Sequence, residues 1–180
     1  METKKFEVVS TQSNIEWTGR KVTGSHNGTI SIKSGILFLD NSKLAGGSFI
    51  IDTSSIKVLD ITDPAANAQF AGHLFSDDFF ATENFPEASF IITNANYLNG
   101  HDYIITGDLT IKDITNSVSF LADVQITDDV VKATGKIIID RTNYDIKFRS
   151  GNFFTNLGDS LIYNEFELDV KLTSFSTILV

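Results

Sequence analysis

Along most of this chain apolar and polar side chains alternate one for one, from Ile15 near one end to Leu172 near the other. A period of two puts one face of a strand in the dry and the other in water, so the sequence reads as a curled antiparallel sheet. Phe6 to Val9 and Ser13 to Thr18 read as short opening strands. Ile30 and Ile32 alternate with Ser31 and Lys33, and Ile36 to Leu39 continues in extended form. Asp40-Asn41-Ser42-Lys43 reads as a turn, followed by a strand near Gly47 to Asp52. Asp63-Pro64 then interrupts the pattern: aspartate suits an N-cap, and proline suits the first helical position because it has no N–H to leave unpaired. With Ala65, Ala66, Ala68, Phe70, Ala71 and Leu74 behind it, this predicts a short helix from Pro64 to about Leu74.

The second half is more regular. Ala88 to Tyr97 and Tyr103 to Lys112 flank Asn99-Gly100, a hairpin signal because both residues tolerate positive φ. Val118 to Ile126 alternates, an Asp128-Asp129 turn follows, and Val131 to Asp140 carries Val131, Ala133, Gly135, Ile137 and Ile139 on one face. In the last strand Ile162, Asn164, Phe166, Leu168, Val170 and Leu172 oppose a polar row. Successive hairpins of this kind predict an all-β meander. Closed into an extended eight-stranded barrel, it loses the exposed edges that invite aggregation. A two-sheet sandwich with a solid core is the alternative. The Leu44-Ala45-Gly46-Gly47 stretch reads as a strand bend rather than a linker, so residues 1–180 form one domain in this reading. Gly35, Gly107 and Gly135 fall in or beside strands, where they relieve crowding or make room for a ligand.

Composition sharpens the picture. The chain holds 15 phenylalanines, and that much aromatic surface inside one sheet must pack against a second sheet, a covering helix or a bound apolar molecule. With 23 acidic and 14 basic residues the net charge is -9, and no basic cluster exceeds the pair Lys4-Lys5. A nucleic-acid groove needs a positive stripe, so DNA and RNA are not expected partners. Cysteine is absent, which excludes disulfides and thiolate metal sites. No apolar run approaches the roughly 20 residues of a membrane helix, so the chain is not expected to be an integral membrane protein. The start Met1-Glu2-Thr3-Lys4-Lys5-Phe6 lacks the apolar stretch of a signal peptide. As it stands the sequence reads as cytoplasmic, with a periplasmic location the alternative if a leader has been removed.

Candidate chemistry is sparse. His26, His73 and His101 form no metal-binding spacing, and no metal site is expected. His26 and His73 suit hydrogen bonding within the fold or contact with a ligand, while His101 reads as a surface residue. Asp77-Asp78 reads as a turn terminator rather than a catalytic pair. There is no Gly-x-Ser-x-Gly elbow and no phosphate-cradling loop. Arg20 and Arg141 stand out among the cations; Arg141 suits a salt bridge or an anionic or carbonyl head group. Trp17 suits the core or a ligand wall.

One constellation goes further. His73, Leu74, Ser76, Asp78, Phe79, Phe80, Pro86 and Phe90 fall on HLxSxDFFxxxxxPxxxF. Trp17-Thr18-Gly19-Arg20, Gly24-Ser25-His26-Asn27-Gly28, Gly46-Gly47-x-Phe49-x-Ile51-Asp52 and Gly107-Asp108-Leu109-Thr110-Ile111 add to it, with Thr115, Val118 and Phe120 beyond. Together they resemble the YceI-like, polyisoprenoid-binding family over nearly the whole chain. Two departures stand out. Asp113 replaces a glycine of the family hairpin. Arg141-Thr142-Asn143-Tyr144-Asp145-Ile146 carries tyrosine and aspartate where the family has phenylalanine and glycine.

The resemblance implies a lipocalin-like barrel holding a long isoprenoid or related amphiphile in an apolar tunnel. It makes the partner a hydrophobic small molecule or lipid: a polyisoprenoid, an isoprenoid quinone or a fatty-acid-like compound. No cofactor is required and no catalytic residue is expected. The expected ligand-binding set joins the inward row Trp17, Ile30, Phe49, Phe90, Leu109, Ile111, Phe120, Phe166 and Leu168 to His26, His73, Phe79, Phe80, Arg141 and Tyr144. Two rivals stand beside carriage: an enzyme acting on a similar lipid through His26, His73, Asp78 or Arg141, and a ligand-free scaffold whose phenylalanines fill the core. A homodimer is left open.

Overall fold

The computed structural model describes residues 3–177, so Met1 and Glu2, at the head of the segment read for a leader, lie outside it. Nine strands run in chain order: β1 (Thr3–Val8), β2 (Asn14–Lys21), β3 (Gly24–Asp40), β4 (Lys43–Val58), β5 (Glu87–Asn99), β6 (Asp102–Ile111), β7 (Ile114–Ile126), β8 (Val130–Asp140) and β9 (Ile162–Ser176). A single helix, α1 (Pro64–Phe75), separates β4 from β5. All pairings are antiparallel, and the ring closes where β3 meets both β4 and β2 while β2 meets β9.

The nine strands fill the expected eight places. β1 pairs with the second half of β3 through Phe6↔Leu37, and β2 pairs with the first half through Ile15↔Ile30. On the other side both lie against β9, through Phe6↔Ser176 and Ile15↔Val170. They are one wall position broken by a 3-10 turn at Ser10–Gln12.

The two pieces read around Ile30–Lys33 and Ile36–Leu39 are one strand of 17 residues. Gly28 and Ile32 are buried on the even positions, and Gly35, Leu37 and Leu39 on the odd ones. One extra residue in the bulge at Ile32/Ser34 flips the inward parity, which is why the strand looks like two. β4 likewise extends past Asp52, through a bulge in which Thr53 is tied to Phe85 and Pro86. The hairpin read at Asn99-Gly100 turns one residue later: Asn99 pairs with Asp102, leaving Gly100 (φ 54) and His101 at the tip.

α1 forms as the sequence predicts. The Asp63 carboxylate accepts from the Ala66 N–H at 2.9 Å, and Pro64 opens the first turn. Asn67 donates to the carbonyls of Val58 and Ile61, fastening the helix to the end of β4. Among the described residues no helix is long and apolar enough to cross a membrane.

The barrel has two unlike ends. At one, Phe6, Leu39, Tyr103 and Val131 are almost wholly buried and fill the interior. At the other, α1 and the crossover between β8 and β9 stand over an interior that is not filled.

Candidate functional site: the cavity and its mouth

The unfilled part is a cavity of about 390 Å³ with an almost entirely apolar wall. Strand parity builds that wall. Ile15 and Trp17 on β2, Phe49 and Ile51 on β4, Leu109 and Ile111 on β6, and Phe166 and Leu168 on β9 all present the same alternate face. Trp17 is held in place by its indole N–H, which donates to the Thr29 carbonyl at 3.2 Å. Its ring lies over Gly28, where a Cβ would strike both that ring and the Lys57 carbonyl. Gly107 is required in the same way, because a Cβ there would run into the Phe90 ring. The aromatic wall continues from Phe49 to Phe90 and on to Phe120, with ring centroids 6.3 and 5.9 Å apart.

The mouth is assembled from segments distant in sequence. His26 on β3 donates from Nδ1 to the Asp60 carboxylate at 2.8 Å and packs at a tilt against Phe70 of α1, centroids 4.5 Å apart. Asp60 also accepts from the Asn27 N–H at 3.0 Å. Burial pushes the Asp60 carboxyl up, but the Asn27 N–H and the His26 ring together outweigh it and hold the carboxyl below its usual range. At the far end of α1, His73 meets Asp78 at 3.0 Å and packs edge-on against Phe79 and Phe148.

Consecutive aromatics cannot share one face of a regular strand, and Phe79 and Phe80 lie instead in an irregular turn after α1. The Phe79 N–H bonds to Ser76 and the Phe80 N–H to Leu74. Phe79 is buried beneath the helix end against Phe148, and Phe80 reaches across to Phe166 on β9. Both rings line the cavity.

Every residue of the sequence-derived set except Tyr144 lines this cavity. Tyr144 is buried in the 3-10 turn Arg141–Tyr144 and does not reach the wall. Burial pushes its phenol up, against the pull of the nearby Asn116 side chain. Arg141 differs from its expected role as well. It is buried and meets no carboxylate. Its guanidinium donates to the carbonyls of Tyr163, Ile146 and Ile162 at 3.1, 2.8 and 3.1 Å. Burial pushes that guanidinium below its ordinary value, against the pull of neighbouring Asp140. Arg141 thus pins the crossover onto the start of β9. Arg20 is paired with Glu167 at 3.0 Å on the outer face, and Lys136 holds the same carboxylate, which lies below its usual range chiefly through Arg20. His101 is exposed, as expected. Among the described residues no three His, Cys, Asp or Glu side chains gather as a metal site.

Sequence reasoning missed Lys21, Phe70, Phe148 and Arg149, all on the cavity wall. Lys21 had a signal, for it continues the inward row Ile15, Trp17, Gly19. The crossover residues Phe148 and Arg149 had none, because residues 141–161 follow no period.

Comparison with known proteins decides what this arrangement is. The model of the YceI-like domain matches residues 6–174. The chain belongs to the YceI-like family. A UPF0312 protein of Photorhabdus laumondii is 43% identical over 51 residues, a stretch of 28% of this chain and 26% of that protein. BcnA of Burkholderia cenocepacia superposes with a TM-score of 0.72 at 20% identity, covering 92% of this chain and 98% of that one. A polyisoprenoid-binding domain from Saccharophagus degradans gives 0.69 at 13% identity, covering 96% and 98%. The Campylobacter jejuni YceI protein gives 0.60 at 14% identity, covering 89% and 85%. At these identities the structural likenesses speak for the fold.

The YceI-like pattern explains both departures of this chain. Asp145 stands at the glycine of the Arg-Thr-x-Phe-Gly-Ile segment and has φ 60, a left-handed conformation that aspartate tolerates better than most residues. Asp113, at the hairpin glycine, has φ 62 and shares a two-residue turn with Lys112 at φ 54. The backbone has kept the geometry glycine favours and given up the glycine.

Proposed function

We propose that this protein binds an isoprenoid-tailed or other long apolar amphiphile in the barrel and carries or sequesters it without chemical change. The observation that carries the reading is the division of the interior. One end is plugged by Phe6, Leu39, Tyr103 and Val131, while the rest keeps an apolar space of about 390 Å³ beneath a helix and an aromatic turn. That volume lies at the small end of the range for small-molecule pockets, about 300–1,000 Å³. Each tail methylene moved from water to such a wall gains roughly 0.8 kcal/mol, so a tail supplies affinity without specific polar contacts. The YceI-like fold and a structural neighbour named for polyisoprenoid binding support the same reading.

The non-catalytic part rests on how the mouth's polar groups are occupied. Arg141 is spent on three backbone carbonyls, and both histidines are spent on aspartates and aromatic rings that seat α1. A solid-core scaffold is disfavoured by the cavity itself.

The test is organic extraction of protein purified without detergent, followed by mass spectrometry. An apolar amphiphile should be recovered in near-stoichiometric amount. Recovery of nothing, with failure to load an added isoprenoid, contradicts carriage. Turnover of a bound lipid that is lost in His26→Ala or His73→Ala contradicts the non-catalytic part alone.

A further inference from the structure

The chain's three arginines, Arg20, Arg141 and Arg149, all line the cavity, and Lys21 lines it beside them. Among the described residues Glu165 is the one acidic side chain on that wall. In a protein with 23 acidic and 14 basic residues, this inverts the overall balance. Glu165 stands on the outward parity of β9, beside Phe166, which faces in.

The four cations are not equally occupied. Arg141 gives its guanidinium to three carbonyls, and Arg20 turns outward to Glu167. Lys21 ends the inward row of β2 and, among the described residues, meets no carboxylate. Arg149 meets none either; its guanidinium sits 4.9 Å from the centre of the Phe148 ring, in the aromatic cluster that includes His73 and Phe79. Its backbone has φ 53 within a turn closed by the Ser150 N–H on the Lys147 carbonyl. That position favours glycine or asparagine. A long cationic side chain there works against the local backbone preference, which points to a use for the side chain.

We propose that the cavity takes an amphiphile whose head is an oxyanion, a carboxylate or a phosphate, held at the mouth by Arg149 and Lys21. This deepens the carriage reading and rests on it. The tail fills the apolar wall, and the head stops at the rim because an anion cannot follow it inward. A planar guanidinium offers two parallel N–H donors to such a head, and the ammonium adds a second positive point. The low dielectric of the apolar wall behind them strengthens both.

The emission of Trp17, the protein's single tryptophan and part of the cavity wall, supplies the readout. Full-length protein is titrated with dodecanol, dodecanoate and dodecyl phosphate below their micelle concentrations, at low salt and pH 8. With the tail fixed, at least one anion should bind about tenfold or more tighter than the alcohol, and added sodium chloride should erode that preference. Whichever anion leads tells carboxylate from phosphate. Arg149→Gly removes the guanidinium while relaxing the backbone, and Lys21→Gln removes the ammonium at an exposed site. The double variant should melt like the parent, bind dodecanol as before and lose the preference, whereas the remote Lys132→Ala should keep it. Equal affinity of alcohol and anions in the parent overturns the proposal. So does a double variant that retains the preference, or one that loses all three ligands alike. If none of the three binds even to the parent, carriage itself has failed and takes the proposal with it.

Discussion

The two ends of the barrel share one sheet and one alternation, yet they are built to opposite ends. At the closed end Phe6 and Val131 show no exposed surface, Leu39 is nearly as buried, and the Tyr103 hydroxyl accepts from the Leu44 N–H. At the mouth Trp17, Ile30, Phe166 and Leu168 are only partly buried, and they face the cavity. The ladders differ too. β7 and β8 pair only from Ala122↔Gly135 to Ile126↔Val131, on the closed side, and run unpaired to each other toward the mouth. Stability and binding are thus separated along the barrel axis. Packing that would stabilise the mouth further would remove the space a ligand needs.

That separation predicts unequal costs for similar substitutions. Phe6→Ala should destabilise by about 3–5 kcal/mol, read by denaturant unfolding, because a fully buried ring leaves a cavity. Phe166→Ala at the cavity wall should cost less than half of that and should weaken lipid retention instead. Equal costs at the two sites would erase the distinction between the ends.

Arg141 tests whether the mouth has its own structural pin. Arg141→Met should strand the carbonyls of Tyr163, Ile146 and Ile162 and cost roughly 1–3 kcal/mol, with faster amide exchange in residues 141–162. An unchanged melting temperature would show that the crossover does not depend on those bonds. A smaller effect is expected at the helix cap. Asp63→Ala removes the acceptor for the Ala66 N–H and should cost about 1 kcal/mol, while speeding ligand release if α1 covers the mouth.

The smallest effect is the acid response of the Asp60–His26 pair. The Asp60 carboxyl lies below its usual value in the folded protein. Its contribution is therefore complete above its ordinary unfolded value of 3.8 and is lost as pH falls through the lower folded value. Asp60→Asn should remove a small part of the stability difference between pH 5 and pH 3. Parallel acid profiles for parent and variant would show that the pair does not contribute.

How far the sequence foretells the molecule follows the same division. The strands, most of the β-hairpins and α1 were legible, because alternation, capping residues and turn residues act over short range. Where β3 bulges between Ile32 and Ser34, one extra residue flips the parity and splits one strand into two apparent ones. The mouth was only half legible. His73, Phe79 and Phe80 lie in one motif, but Phe148 and Arg149 come from the crossover and reach them through the fold alone. Arg141 and Tyr144 show the limit of reading roles from residue type. A buried arginine looks like a head-group contact until its three carbonyl partners are in place, and Tyr144 is buried within the 3-10 turn rather than on the wall it was expected to join.

The central claim, that an apolar tail occupies the mouth half of the barrel interior, is tested most directly by isotope-filtered NMR. Labelled protein loaded with an unlabelled long-chain amphiphile should show contacts from the tail to the methyl groups of Ile30, Ile137 and Leu168 on the cavity wall. The closed-end methyls of Leu39 and Val131 should show none. Tail contacts confined to the exposed outer residues Leu121 and Ile138, or no contacts at all with ligand in excess, would contradict the account.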